Sequence, residues 1–136
     1  MLLQGKRVLV TGVLDPRSIA FSIARVAMEE GADVVLTSFG RAMRLTQTTA
    51  RRLPTTPDVL ELDVTDADHV AALARALDER WGALDGLVHA VAYAPPVVPG
   101  RRVPDRALGG RRDHAARVDV LAGVPRRGAR AAAARR

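Results

Sequence analysis

Four short aliphatic runs, separated by three stretches of helical periodicity, leave this chain very few folds. The first run, Arg7–Thr11 (RVLVT), is closed by Gly12 and has the pattern of a strand buried on both faces. Residues 18–30 follow as a helix, with Ile19, Ile23, Val26 and Ala27 at helical spacing and Gly31 at the C′ position. DVVLT at 33–37 is a second buried strand, and residues 41–53 form a helix that must stop before Pro54. VLELDV at 59–64 is a third strand. Thr65 is placed to N-cap the next helix, with Asp68 three residues on as a capping-box variant. That helix sets Val70, Leu73, Leu77 and Trp81 on one face, and GLVHAV at 86–91 is the fourth strand.

Strands alternating with helices through short connections require right-handed crossovers and therefore a parallel sheet. The fold class expected is α/β, with residues 1–96 as the N-terminal part of a doubly wound parallel-sheet (Rossmann) fold. Ligands of such sheets sit at the carboxyl ends of the strands, near the point where strand order reverses. Here those ends follow Thr11, Thr37, Leu62 and Ala90.

The loop after the first strand holds a single glycine, Gly12, and lacks the GxGxxG spacing of common dinucleotide sites. Ser18 can cap the following helix or offer its hydroxyl to a phosphate at the helix N-terminus, and the spacing leaves both open. Asp63, ending an apolar strand, serves either a turn or a ligand. Phe39 and Tyr93 fit packing as well as a site. His89, inside the fourth strand, reads as a core histidine and His69 as part of a solvated helix face, so neither is given a role.

Composition divides the chain in two. The net charge of +6 is unevenly placed. Residues 1–96 hold ten basic against twelve acidic residues, a charge of −2, whereas residues 97–136 hold eleven arginines against three aspartates, a charge of +8. In that tail Arg, Ala, Gly and Pro make up 28 of 40 residues and no amphipathic period survives, so a disordered basic tail is expected. Cysteine is absent, which excludes disulfides and thiolate chemistry. The first residues carry no apolar signal region and no run is long enough to span a membrane, so a cytoplasmic location is expected. No metal site can be read from the carboxylates and isolated histidines.

At the first loop a specific resemblance emerges. TGVLDPRSIAFSIARVAMEEGADVVLTSF resembles the opening of the NADH-dependent enoyl-acyl-carrier-protein reductases, a divergent branch of the short-chain dehydrogenases. That branch replaces the glycine-rich turn with Gly, five residues, then Ser-Ile-Ala. The similarity, strongest to actinobacterial and mycobacterial members, continues through RRLPTTPDVLELDVTDADHVAALA and LDGLVHAVAYAPP, covering nearly all of residues 2–96. It implies an NADH cofactor and reduction of trans-2-enoyl thioesters of acyl-carrier protein or CoA in fatty-acid biosynthesis. It also implies that Gly12, Val13, Ser18 and Ile19 line the pyrophosphate and ribose, and that Phe39 covers the adenine. Asp63 would accept from the adenine amino group with Val64 packed on the ring. Ala90, Val91 and Ala92 would run beside the nicotinamide ribose, and Tyr93 and Ala94 would begin the acyl-substrate wall. Intact relatives are homotetramers. The family's Ser-Ile-Gly after the fourth-strand histidine is replaced here by Ala90, Val91 and Ala92, which puts a methyl group where the family's backbone approaches the cofactor. The second strand lacks the acidic residue that binds the ribose diol in ordinary NAD enzymes, as is usual for this branch.

The resemblance also implies a catalytic tyrosine, with a lysine seven residues beyond it, to stabilise an enolate and hold the nicotinamide ribose. The chain has one tyrosine, Tyr93, and one lysine, Lys6, in the wrong order. No catalytic residue is therefore assigned, and the chain is expected to be truncated, inactive alone, and left with the fourth strand as an apolar edge prone to instability. The tail is enriched in the residues whose codons begin with two G/C bases, as in a GC-rich gene read out of frame. Reading each codon one base later, with synonymous choice, turns residues 116–123 into HVSTYSLA and residues 100–112 into GGRFLTAPWEDVA. Both resemble the family's continuation, which suggests a frameshift near residues 95–97. The rivals are another short-chain dehydrogenase and a non-catalytic dinucleotide- or anion-binding module. Eleven arginines would suffice for non-specific phosphate binding, but no aromatics are interleaved for base stacking, so specific nucleic-acid binding is not expected.

Overall fold

The computed structural model describes residues 1–91. Its elements run β1 (Arg7–Thr11), α1 (Ile19–Glu29), β2 (Asp33–Ser38), α2 (Ala42–Ala50), β3 (Val59–Glu61), α3 (Ala67–Trp81) and β4 (Gly86–Val88). The strands form one parallel sheet in the order β3-β2-β1-β4, with Leu9 opposite Val35 on one side and Leu87 on the other. Strand order reverses between β1 and β4, the switch point at which such sheets bind ligands. Ala92, Tyr93, Ala94, the domain boundary at residue 96 and the basic tail lie outside the described residues.

The two faces of the sheet are filled by different helices. Alternation along β1 and β2 sends Val8, Val10, Val34 and Leu36 into a core with Ala20, Phe21, Ala24 and Ala27 of α1 and Ala50 of α2. Leu9 and Val35 point the other way, against Val70, Leu73, Leu77 and Trp81 of α3. That α3 face is the one its periodicity predicts. Each fully buried leucine there stabilises the fold by about 2 kcal/mol relative to exposure.

Helix α1 departs from expectation. Ile19, Ile23 and Val26 are exposed, at 79%, 37% and 49%, while the smaller Ala20, Ala24 and Ala27 are buried with Phe21. An alanine face brings the helix axis close to the sheet, and the branched residues are turned outward. Gly31 does take the C′ position at φ +88°, where an added Cβ would meet Gln4. Helix α2 ends at Ala50, short of the predicted Leu53, whose N–H still bonds the Ala50 carbonyl in a closing turn. Asp66, not Thr65, caps α3: its carboxylate accepts from the N–H groups of Asp68 and His69. Thr65 is drawn away because its own N–H and hydroxyl both donate to Asp63 Oδ1.

Strands β3 and β4 stop three residues short of the runs that predict them: β3 ends level with β2 at the Ser38–Glu61 pair, and β4 ends at the Val10–Val88 pair, one residue before β1 does. Beyond β3, Leu62 N–H still bonds the Ser38 carbonyl at 2.8 Å. Beyond β4, Ala90 N–H bonds the Thr11 hydroxyl at 3.1 Å instead of a strand carbonyl. At the amino end of the sheet, ion pairs join separate elements: Lys6 with Asp85 at 3.6 Å, and Arg80 with Asp58 and Asp33. Trp81 Nε1 donates to Asp33 at 2.7 Å. No helix among the described residues is long and apolar enough to cross a membrane.

Candidate functional site

The carboxyl end of the sheet is built around Gly12. Its φ is +83°, and a Cβ there would lie 2.3 Å from the Ala90 carbonyl oxygen and 2.8 Å from the carbonyl carbon. Only glycine lets the loop leaving β1 pass this close to the chain leaving β4. Thr11, 1% exposed, ties the same two segments together. Its hydroxyl lies 3.4 Å from the Val88 carbonyl and 3.3 Å from His89 Nδ1, and accepts from Ala90 N–H. His89 thus sits half-buried beside a hydrogen-bonded strand end.

A cavity of about 270 Å³ opens beside this contact. Thr11, Gly12 and Leu14 form one wall, Thr37, Ser38, Phe39 and Ala42 a second, and Leu62, Val64, Ala90 and Val91 the remainder. All four predicted strand ends therefore converge on one space. Phe39 lies at its edge with 46% of its surface exposed, and Leu14 with 45%. The hydroxyls of Thr11, Thr37 and Ser38 are the polar side chains of the lining, and no titratable group is among them. Such a surface can hold a flat, largely apolar ligand body; among the described residues it supplies no proton donor of its own.

Of the residues singled out in the sequence, Gly12, Phe39, Val64, Ala90 and Val91 line this cavity. Asp63 lies between two lining residues, with Oδ1 held by Thr65 N–H at 2.9 Å and by the Thr65 hydroxyl at 2.6 Å. Ser18 caps α1: its hydroxyl accepts from Phe21 N–H at 3.2 Å and donates to the Asp15 carbonyl at 2.8 Å. Ile19 opens that helix, largely exposed, and lines a shallow depression along α1 with Ile23 and Val26 rather than the main cavity. Val13 is wholly buried in the core. Lys6 stands at the opposite end of the sheet, paired with Asp85. No group of three or more His, Asp or Glu residues that could hold a metal occurs among the described residues.

Several residues that shape the site were missed in the sequence. Thr46, 0% exposed, donates its hydroxyl to the Val13 carbonyl at 2.8 Å and lies 3.0 Å from the Ser38 hydroxyl. Thr49 donates to the Leu14 carbonyl at 3.0 Å. Together they pin the loop after Gly12 to α2. Their three-residue spacing, followed by Ala50, was the available signal, since it gives an otherwise polar helix a single small-residue face. His69 is the other omission. Far from lying free on a solvated face, it accepts the Asp63 N–H at Nδ1, at 3.1 Å.

Comparison with known proteins places this geometry. The sequence model of the family described as "Enoyl-(Acyl carrier protein) reductase" matches residues 12–109, reaching into the basic tail. The enoyl-[acyl-carrier-protein] reductase [NADH] of Mycolicibacterium smegmatis is 45% identical over 97 residues, covering 69% of this chain and 36% of that protein. The Mycobacterium avium protein of the same name is 48% identical over 94 residues, covering 67% and 35%. This chain thus spans about a third of the length of the curated relatives it matches. A crystal structure of the enoyl-(acyl-carrier-protein) reductase of Anaplasma phagocytophilum in complex with NAD superimposes with a TM-score of 0.77 at 30% identity, covering 90% of this chain and 48% of that one. With a family match over more than half of its residues, the chain belongs to the enoyl-(acyl carrier protein) reductase family.

Proposed function

We propose that this chain is the dinucleotide-binding front part of an NADH-dependent enoyl-acyl-carrier-protein reductase. In this reading the reaction served is the reduction of enoyl thioesters of acyl-carrier protein or CoA, in the cytoplasm. The observation that carries the reading is the contact at the switch point, where Gly12 lies so close to Ala90 that a Cβ would collide, beside a cavity formed by all four strand ends. A dinucleotide fits that cradle. Phe39, half exposed at the edge, would cover the adenine, with Asp63 accepting from its amino group and Val64 against the ring. Gly12 and the start of α1 at Ser18 and Ile19 would hold the pyrophosphate and ribose, where the helix dipole favours negative charge. Val13, being buried, would serve by shaping that loop. Ala90, Val91 and Ala92 would flank the nicotinamide ribose, and Tyr93 and Ala94 the acyl chain. When bound, NADH supplies the hydride; the residues of this chain orient it and exclude water.

Turnover also needs a proton donor and an oxyanion partner beside the nicotinamide. The described lining contains no titratable group, and Lys6 is committed to Asp85 at the far end of the sheet. Binding without turnover is therefore the expected behaviour of this chain by itself. Titration of the purified chain with NADH, followed by addition of a trans-2-enoyl-CoA, tests both parts. Saturable binding with no NADH consumption is expected. Consumption would overturn the second part, and absence of NADH binding would overturn the first.

A further inference from the structure

We propose that His69 is a positioning residue for adenine recognition, acting through the main chain of Asp63. The inference rests on the dinucleotide reading above and adds a residue to it. The loop between β3 and α3 is held at several points. Leu62 N–H donates to the Ser38 carbonyl, Asp66 N–H to the Asp63 carbonyl, and Thr65 to Asp63 Oδ1. Each of those contacts leaves the Asp63 N–H to be satisfied, and His69 Nδ1 accepts it at 3.1 Å from the first turn of α3.

The imidazole is itself fixed. The main-chain N–H of His69 donates to Asp66 Oδ1 at 3.3 Å, and on the ring itself Nε2 faces Asp66 Oδ2 at 3.8 Å. Acceptance at Nδ1 puts the proton of the neutral ring on Nε2, toward that carboxylate. Asp66 thus caps the helix and aims the ring, and the ring aims Asp63. Because Asp63 adjoins Leu62 and Val64, both lining the cavity, a rotation of its peptide would move the carboxylate and the Val64 side chain together. The side chain of His69 is only one-third exposed, so the bond is partly shielded from competing water.

The test compares H69L, which removes the acceptor, with H69N, whose amide oxygen can occupy the Nδ1 position. Both are made in the full chain and titrated with NADH, ADP-ribose and reduced nicotinamide mononucleotide. H69L is expected to weaken ADP-ribose and NADH about fivefold, the scale of one positioned hydrogen bond, while the nicotinamide fragment changes by less than about twofold. H69N is expected to restore ADP-ribose binding. Unchanged ADP-ribose affinity in H69L, equal weakening of both fragments, or no rescue by H69N would each overturn the proposal. Should H69L fail to fold, amide exchange in the native chain decides: protection at Asp63 is expected, and exchange at the rate of an open loop overturns it. A native chain that binds neither NADH nor ADP-ribose instead removes the dinucleotide reading on which the proposal stands.

Discussion

The two ends of the sheet are stabilised by different chemistry. At the amino end, charges meet across elements that are distant in sequence: Lys6 with Asp85, and Arg80 with Asp33 and Asp58. At the carboxyl end the long-range links run from the hydroxyls of Thr11, Thr46 and Thr49, to main chain and, from Thr11, also to the His89 ring. The Arg17–Asp15 ion pair there and the contact of His69 with Asp66 each stay within three residues. The lesson is one of division of labour. Charges that neutralise each other close one edge, whereas small neutral groups hold the other in shape without filling it, leaving Leu14 and Phe39 exposed beside a cavity.

Substitutions at the two ends can break or sharpen that contrast. The largest effect is expected from G12A, which forces both a strained backbone and a collision with Ala90. It should destabilise the chain by about 3 kcal/mol in denaturant unfolding and abolish NADH binding. A mild effect would mean that the two strand ends are not held in contact. T46V keeps the shape but strips the buried Val13 carbonyl of its donor, at a cost of about 2 kcal/mol and with weakened NADH affinity. Loss of stability with NADH affinity unchanged would show that the loop after Gly12 does not need α2 to hold its shape. The smallest effect belongs to the amino end. W81F removes the bond to Asp33 but keeps the ring, so unfolding should show a loss of about 1 kcal/mol with NADH affinity unchanged. An affinity change there would dissolve the distinction between the two ends.

How much could be read in advance differs from element to element for physical reasons. The α3 face of Val70, Leu73, Leu77 and Trp81 was legible because one apolar stripe stood against a polar remainder. Helix α1 carries apolar residues on two faces, and periodicity cannot say which one meets the sheet; Ala20 and Ala24 did, and the bulkier isoleucines did not. Helix α2 buries threonines whose value lies in partners far along the chain, invisible to a local window. Thr65, the cap expected from the sequence, yields to Asp66 in the fold because Asp63, two residues earlier, claims the threonine. Among the residues named by resemblance, Gly12, Phe39, Val64, Ala90 and Val91 lie together on one cavity, because parallel-sheet topology gathers the strand ends. His69 was not among them, since only the fold brings its ring to the Asp63 N–H. The proposed change of reading frame near residues 95–97 is a separate matter, settled by whether the gene's alternate frame continues into a tyrosine followed seven residues later by lysine.

The hydroxyl of Thr11 reaching Ala90 joins positions 79 apart in sequence, whereas β1 and β2 pair across a single helix. In terms of chain connectivity, the pairing of β1 with β4 closes the longest loop in the described fold and carries its greatest entropy cost. A ligand that spans Gly12 and Ala90 would therefore act as a clasp on one of the contacts whose closure costs the chain most entropy. Its binding energy would add to the stability of the fold at the place where the connectivity of the chain contributes least.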